Sequence, residues 1–122
     1  MGKKIIFDHY HKDDFMGTVI VDFEEEVCYS KRNGKLFLFG DGVVSLSFIE
    51  KRLDDRLVPA GRRDEKLFLF KLGLAERDVW KMARSTHLCM MNDYDWIKFR
   101  DEEPFDILEF RKREGLKVWK RA

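Results

Sequence analysis

The sequence predicts an α+β fold: an N-terminal antiparallel β-meander followed by three or four helices and one further strand. Three observations predict it. The first forty residues hold short runs of apolar and β-branched residues, Asn33-Gly34 sits between two such runs, and beyond Gly42 the apolar residues recur at three and four. The 122 residues make one domain, with a strand-rich stretch 1–42, a helix-rich stretch 43–114 and a basic tail 115–122.

The elements follow in order. Lys3 to Phe7 is a short apolar strand, and Thr18 to Phe23 is a β-branched strand behind Gly17. Val27 to Ser30 and Lys35 to Phe39 flank Asn33-Gly34, a pair that accepts the positive φ of a tight hairpin turn. A second turn at Gly40-Asp41-Gly42 closes the meander. Phe48, Ile49, Arg52, Leu53, Arg56 and Leu57 then define an amphipathic helix that Pro59 and Gly61 stop. Arg62 to Leu72 is ambiguous, because Leu67-Phe68-Leu69-Phe70 is apolar on every face. Its acidic front (Asp64, Glu65), basic end (Lys71) and Gly73 match a helix with a glycine stop. Glu76 to Arg84 is a further helix with Val79, Trp80 and Ala83 on one stripe, and Asp93 to Phe99 alternates like a strand. Pro104 opens the last helix, with Phe105, Ile107 and Leu108 inward and Arg111, Lys112 and Arg113 at its end. Lys-Leu-Phe-Leu-Phe occurs at 35–39 and again at 66–70, but the flanks differ and no repeat array is expected.

Composition excludes several classes. Hydrophobic residues at 44%, with 11 Phe and 3 Trp, are too many for a disordered chain. The 24 basic and 23 acidic residues nearly cancel, which argues against a dedicated polyanion binder. Asp8, His9 and His11 end the opening apolar run too early for a signal peptide, and no run reaches the ~18 residues of a membrane span. Cys28 and Cys89 read as buried, reduced thiols, and the expected compartment is the cytoplasm.

Few residues are grouped for chemistry. Asp8 to Asp14 is dense in ligand types, and His9 and His11 at i, i+2 on a strand would share a face. Nothing downstream completes a metal site, so the segment reads as a solvated connector after the first strand. Cys89 beside His87 lacks the geometry of a nucleophile and its base. No phosphate-binding loop or kinase signature is present, and Phe39-Gly40-Asp41-Gly42 is explained as a turn. Neither metal nor cofactor is expected. One basic cluster (Lys51, Arg52, Arg56, Arg62, Arg63) surrounds the Pro59 corner, interleaved with acids. A second (Arg111, Lys112, Arg113, Lys117, Lys120, Arg121) loads the tail beside Trp119, a mixture of cation and aromatic used on single-stranded nucleic acid.

Arg56-Leu57-Val58-Pro59-Ala60-Gly61-Arg62, Leu72-Gly73-Leu74, Leu88 and Asn92 to Ile97 together resemble a segment of HipA-like proteins of Gram-positive bacteria. In that family the pattern is R-x-I-P-A-S-R, a helix, a short loop, and G-L-S-L-S-D-x-Y-W-I just before the kinase-like core. Arg56, Pro59, Ala60 and Arg62 match the first part, and Asp93, Trp96 and Ile97 the second. Leu88, Met90 and Met91 stand where the Leu/Ser residues would be. Gly61 replaces a serine, and Tyr94 and Asp95 shift the aromatic pattern. The resemblance spans Arg56 to Phe99 and leaves the strand-rich half unmatched.

The resemblance implies a stand-alone module without ATP site or catalytic residues, comparable to the separate subunit that restrains a kinase toxin in split systems of that family. The expected function is that of a non-enzymatic, antitoxin-like regulatory subunit binding a separately encoded HipA-like kinase. Arg56, Arg62, Arg63, Asp93, Asp95 and Trp96 are the candidate partner-binding residues. Pairing of Arg56 or Arg62 with Asp93 or Asp95 inside the domain is the competing use. The alternative function is a small nucleic-acid-binding accessory protein of a mobile element, using Arg111, Lys112, Arg113, Lys117, Trp119, Lys120 and Arg121. A metal-dependent enzyme centred on His9 and His11 is a third reading. No membrane partner is expected.

Overall fold

The computed structural model describes residues 4–57, 64–89 and 93–121. The Pro59 corner with Arg62 and Arg63, and Met90 and Met91, lie outside the described residues. The fold is mixed α+β. Strands β1 (Lys4–His11), β2 (Asp14–Asp22), β3 (Val27–Arg32), β4 (Gly42–Ser45) and β5 (Asp95–Phe99) form one antiparallel sheet in the order β4-β3-β2-β1-β5. Among the described residues four helices accompany it: α1 (Leu46–Asp54), α2 (Glu65–Lys71), α3 (Val79–Thr86) and α4 (Ile107–Arg113).

β1 is longer than its apolar run because it lies between two partners. His9 pairs with Gly17 on one side and Ile97 on the other, so Asp8 to His11 are strand and not a solvated connector. Two ladders of backbone hydrogen bonds outweigh the poor strand propensity of this polar stretch. Asp8 is buried; its carboxylate accepts from Thr18 Oγ1 at 2.6 Å and from Arg100 at 3.0 and 3.1 Å. Alternation sends Ile5, Phe7 and His9 into the main core.

The expected tight hairpin turn at Asn33-Gly34 does not form: neither residue takes a positive φ, both amides donate to the Met16 carbonyl, and Lys35 to Phe39 does not return as the expected strand. An edge strand with Leu and Phe at four consecutive positions would hold half of them in water. The segment instead drops Phe37 and Phe39 under the sheet, where Phe39 meets Phe7 edge-on at 5.1 Å. Gly17 makes the room: a Cβ there would stand 2.6 Å from the Phe37 ring. The partner of β3 is β4, inside the stretch expected to be helical.

Ser45 caps α1, its side chain accepting from Phe48 N, and Ile49 and Leu53 lie one turn apart in the core. The ambiguous run is the helix α2, of which Leu69 alone is buried. Asp78 caps α3, shifting it two to three residues beyond the expected span. Met82 and Ala83 are its core residues; Trp80 is half-buried and donates to Glu50 Oε2 at 2.7 Å. Asp106, not Pro104, caps α4. Arg77 ties α1 to α2 through Asp54 and Glu65 at 2.8–3.0 Å. The two copies of Lys-Leu-Phe-Leu-Phe are thus an irregular segment and a helix. Among the described residues no helix is long and apolar enough to cross a membrane.

Candidate functional site

The structure brings much of the predicted constellation together where β5 begins. Arg56, in the turn after α1, donates to both Asp93 oxygens at 2.8 and 3.0 Å. Asp93 Oδ1 also accepts from Asp95 N at 3.2 Å. Arg56 and Asp93 therefore tie helix to strand, the internal use weighed above. Trp96 is equally internal: it is buried, stacks on Tyr10 at 4.6 Å, and donates to the Lys12 carbonyl at 2.7 Å. Arg56, Asp93 and Trp96 thus each have an internal partner, while Arg62 and Arg63 lie outside the described residues.

Asp95 is the centre of a cluster that the sequence left incomplete. In register, His11 faces Asp95 and His9 faces Ile97, so both imidazoles lie on the side of the carboxylate. His9 Nε2 and His11 Nδ1 stand 3.0 and 3.1 Å from the same Asp95 oxygen. Both nitrogens donate, since a carboxylate only accepts. Burial raises the Asp95 pKa, but the hydrogen bonds from His9 and His11 and the nearby charges of His9 and Arg56 outweigh it and hold the carboxyl below its usual range. Hydrogen bonding to one oxygen occupies the imidazoles differently from metal ligation. Among the described residues no group of three or more His, Cys, Asp or Glu is arranged to hold a metal ion. The signal in the sequence was the i, i+2 histidine pair; its partner lies 84 and 86 residues away.

The alternative constellation is also rearranged. Arg111 is fully buried, not at a solvated helix end. It donates to the Lys117 carbonyl at 2.5 Å, to the Asp93 carbonyl and to Cys89 Sγ at 3.5 Å, closing the tail onto the β5 corner. Trp119 donates to Asp13 Oδ2 at 2.8 Å, and Arg121 holds the same carboxylate at 3.0 and 3.1 Å. Lys112, Arg113, Lys117 and Lys120 remain on the surface. Of that pattern, Arg111, Trp119 and Arg121 dock the tail. Cys89 is packing: burial pushes its thiol up to about 11 despite the neighbouring Arg111.

Two exposed features escaped the sequence reading. On α2, Leu67 and Phe70 are 58% and 80% exposed. On the sheet face away from the main core, Phe15, Ile20, Tyr29 and Val43 stand open. The run Leu67 to Phe70 carried the first signal, because a helix apolar on every face cannot bury all of it. The alternation of Tyr29 between Cys28 and Ser30 carried the second.

Compared with protein-family models, with curated proteins and with solved structures, the chain finds no significant match in any of the three.

Proposed function

We propose that the protein is a non-enzymatic binding module whose docking element for a protein partner is α2. The observation that carries this reading is the pair Leu67 and Phe70, one turn apart and both directed to solvent. A phenylalanine at 80% exposure is costly to hydrate, and a neighbouring leucine makes the patch contiguous. Buried aromatic anchors dominate protein interfaces. Lys66 and Lys71 flank the pair and would supply a polar rim. The partner we propose is a HipA-like kinase encoded separately, because α2 lies within the stretch, Arg56 to Phe99, that resembles that family.

Affinity capture of the tagged protein from its native lysate, with nuclease treatment, tests the reading. Recovery of a HipA-like kinase in near-equal amount, abolished by Phe70→Asp, is the expected result. Autophosphorylation of that kinase with and without the module then gives the sign of regulation. Capture of the kinase unaffected by Phe70→Asp overturns α2 as the docking element, and capture without a kinase overturns the partner.

A further inference from the structure

The outward face of the sheet is covered by the chain itself only in part. Tyr10 on β1 and Trp96 on β5 pack with Phe105 and Ile107, Trp96 meeting the Phe105 ring at 5.9 Å. The rest of the face carries an apolar row that crosses four strands in register: Ile6 on β1, Ile20 on β2, Tyr29 on β3 and Val43 on β4. Their chain neighbours Ile5, Phe7, Val19, Val21 and Cys28 are core, so alternation turns the row outward. Ile20, Tyr29 and Val43 are 37%, 47% and 69% exposed. An antiparallel sheet face left to water is polar at such positions. A contiguous apolar patch between polar rows marks a contact between proteins.

The polar rows on either side select the occupant. Toward one end of the strands lie Asp8, Thr18 and Lys31, with Arg100 bound to Asp8. Toward the other lie Lys4 and Asp22, 3.9 Å apart, and then the exposed turn Glu24, Glu25 and Glu26. A half-turn about the apolar row lays each row residue of a second copy against its own counterpart and reverses the strands. The Asp8–Arg100 pair of one copy then faces the Lys4–Asp22 pair of the other, and Lys31 reaches the acidic turn. By symmetry each of these contacts is made twice. Parallel packing would instead set Lys31 on Lys31 and acidic turn on acidic turn, which like-charge repulsion disfavours. The face is therefore complementary to itself. The α2 patch is not, because the residues flanking Leu67 and Phe70 are two lysines, Lys66 and Lys71.

We propose that this face is the interface of a two-fold dimer of the chain, formed by the row Ile6, Ile20, Tyr29 and Val43 with the strands of the two copies antiparallel. It is separate from the partner surface on α2. Four strands about 4.8 Å apart, each giving about five residues, make a footprint of roughly 19 by 17 Å. That is the low end for a specific contact, so the dissociation constant is expected on the order of tens of micromolar.

Sedimentation velocity of the full chain over roughly 1–500 μM tests this. The sedimentation coefficient should rise from monomer to dimer and go no further. Tyr29→Asp should raise the midpoint about tenfold or more, whereas Phe70→Asp should leave it unchanged. Lys31→Glu alone and Glu25→Lys/Glu26→Lys alone should each weaken the dimer several-fold. The three changes together should recover it, because the charges still meet with their signs exchanged. Melts far below the midpoint, where the parent is monomeric, should coincide for all variants and so separate lost association from lost folding. A monomer throughout, a dimer indifferent to Tyr29→Asp, or a triple variant that stays weak would each overturn the two-fold dimer. Loss of kinase capture by Tyr29→Asp without any self-association would assign the face to that partner and overturn the second copy as its occupant.

Discussion

Arg111 is the residue on which most of the C-terminal half depends. A buried guanidinium is tolerated only when its donors are used, and here they reach two carbonyls and a thiol on three separate segments. Arg111→Met keeps the apolar stem but strands those acceptors; chemical denaturation should show a loss of about 2–4 kcal/mol. Asp95 gives a prediction of a different kind. Its folded pKa is depressed, so the stabilisation from its ionised form is present above the unfolded carboxyl value of about 4 and is lost as pH falls through the lower folded value. Asp95→Asn should therefore be less stable at neutral pH and should flatten the acid limb of the stability curve below about pH 4. A parallel offset at every pH would contradict this. Sequence reasoning selected Arg56, Asp93, Asp95 and Arg111 as chemically notable, yet it could not tell a surface from a buried tie. Charge and spacing do not report depth, and the partners of His9 and Arg111 are set by long-range register.

At the scale of elements, local signals succeeded where period and capping agreed. The three-and-four spacing of Phe48, Ile49, Arg52 and Leu53 announced α1, and the β-branched run announced β2. They failed at Lys35 to Phe39, because the pull of Phe37 and Phe39 into the core exceeds the worth of one short edge ladder. Gly17 is the test of that account. Gly17→Ala would press a methyl to 2.6 Å from both the Lys31 carbonyl and the Phe37 ring, where the backbone cannot yield. We expect a cost of about 1–3 kcal/mol, with the near-ultraviolet signal of the aromatic core altered. Phe70→Asp is the contrasting case. Its ring packs little in the folded chain, so the melting curve should stay within about 0.5 kcal/mol of the parent while binding is lost.

At the scale of the whole molecule, the tail closes the fold. Exposed ion pairs such as Arg121 with Asp13 contribute little in salt, although the guanidinium lowers the Asp13 pKa. The Lys117 carbonyl matters more, since it is an acceptor for the buried Arg111. Removing residues 117–122 should cost roughly 1–3 kcal/mol, and added salt should not reproduce that loss in the intact chain. Nothing in the tail composition announces that Trp119 and Arg121 meet Asp13 or that Arg121 also meets Asp106.

The outer edge of β5 is closed in the same way. Its outward amides are already engaged: Asp95 N with Asp93, Ile97 N with the His87 carbonyl at 2.9 Å, and Phe99 N with Glu102 at 2.8 Å. Among the described residues, that leaves β4, four residues long, as the other terminal strand of the sheet. A molecule with a single growing end can pair with one neighbour and then stop. Edge-to-edge association that ran through β4 alone would terminate at two chains, and a fibre built by that route would have no second face from which to continue.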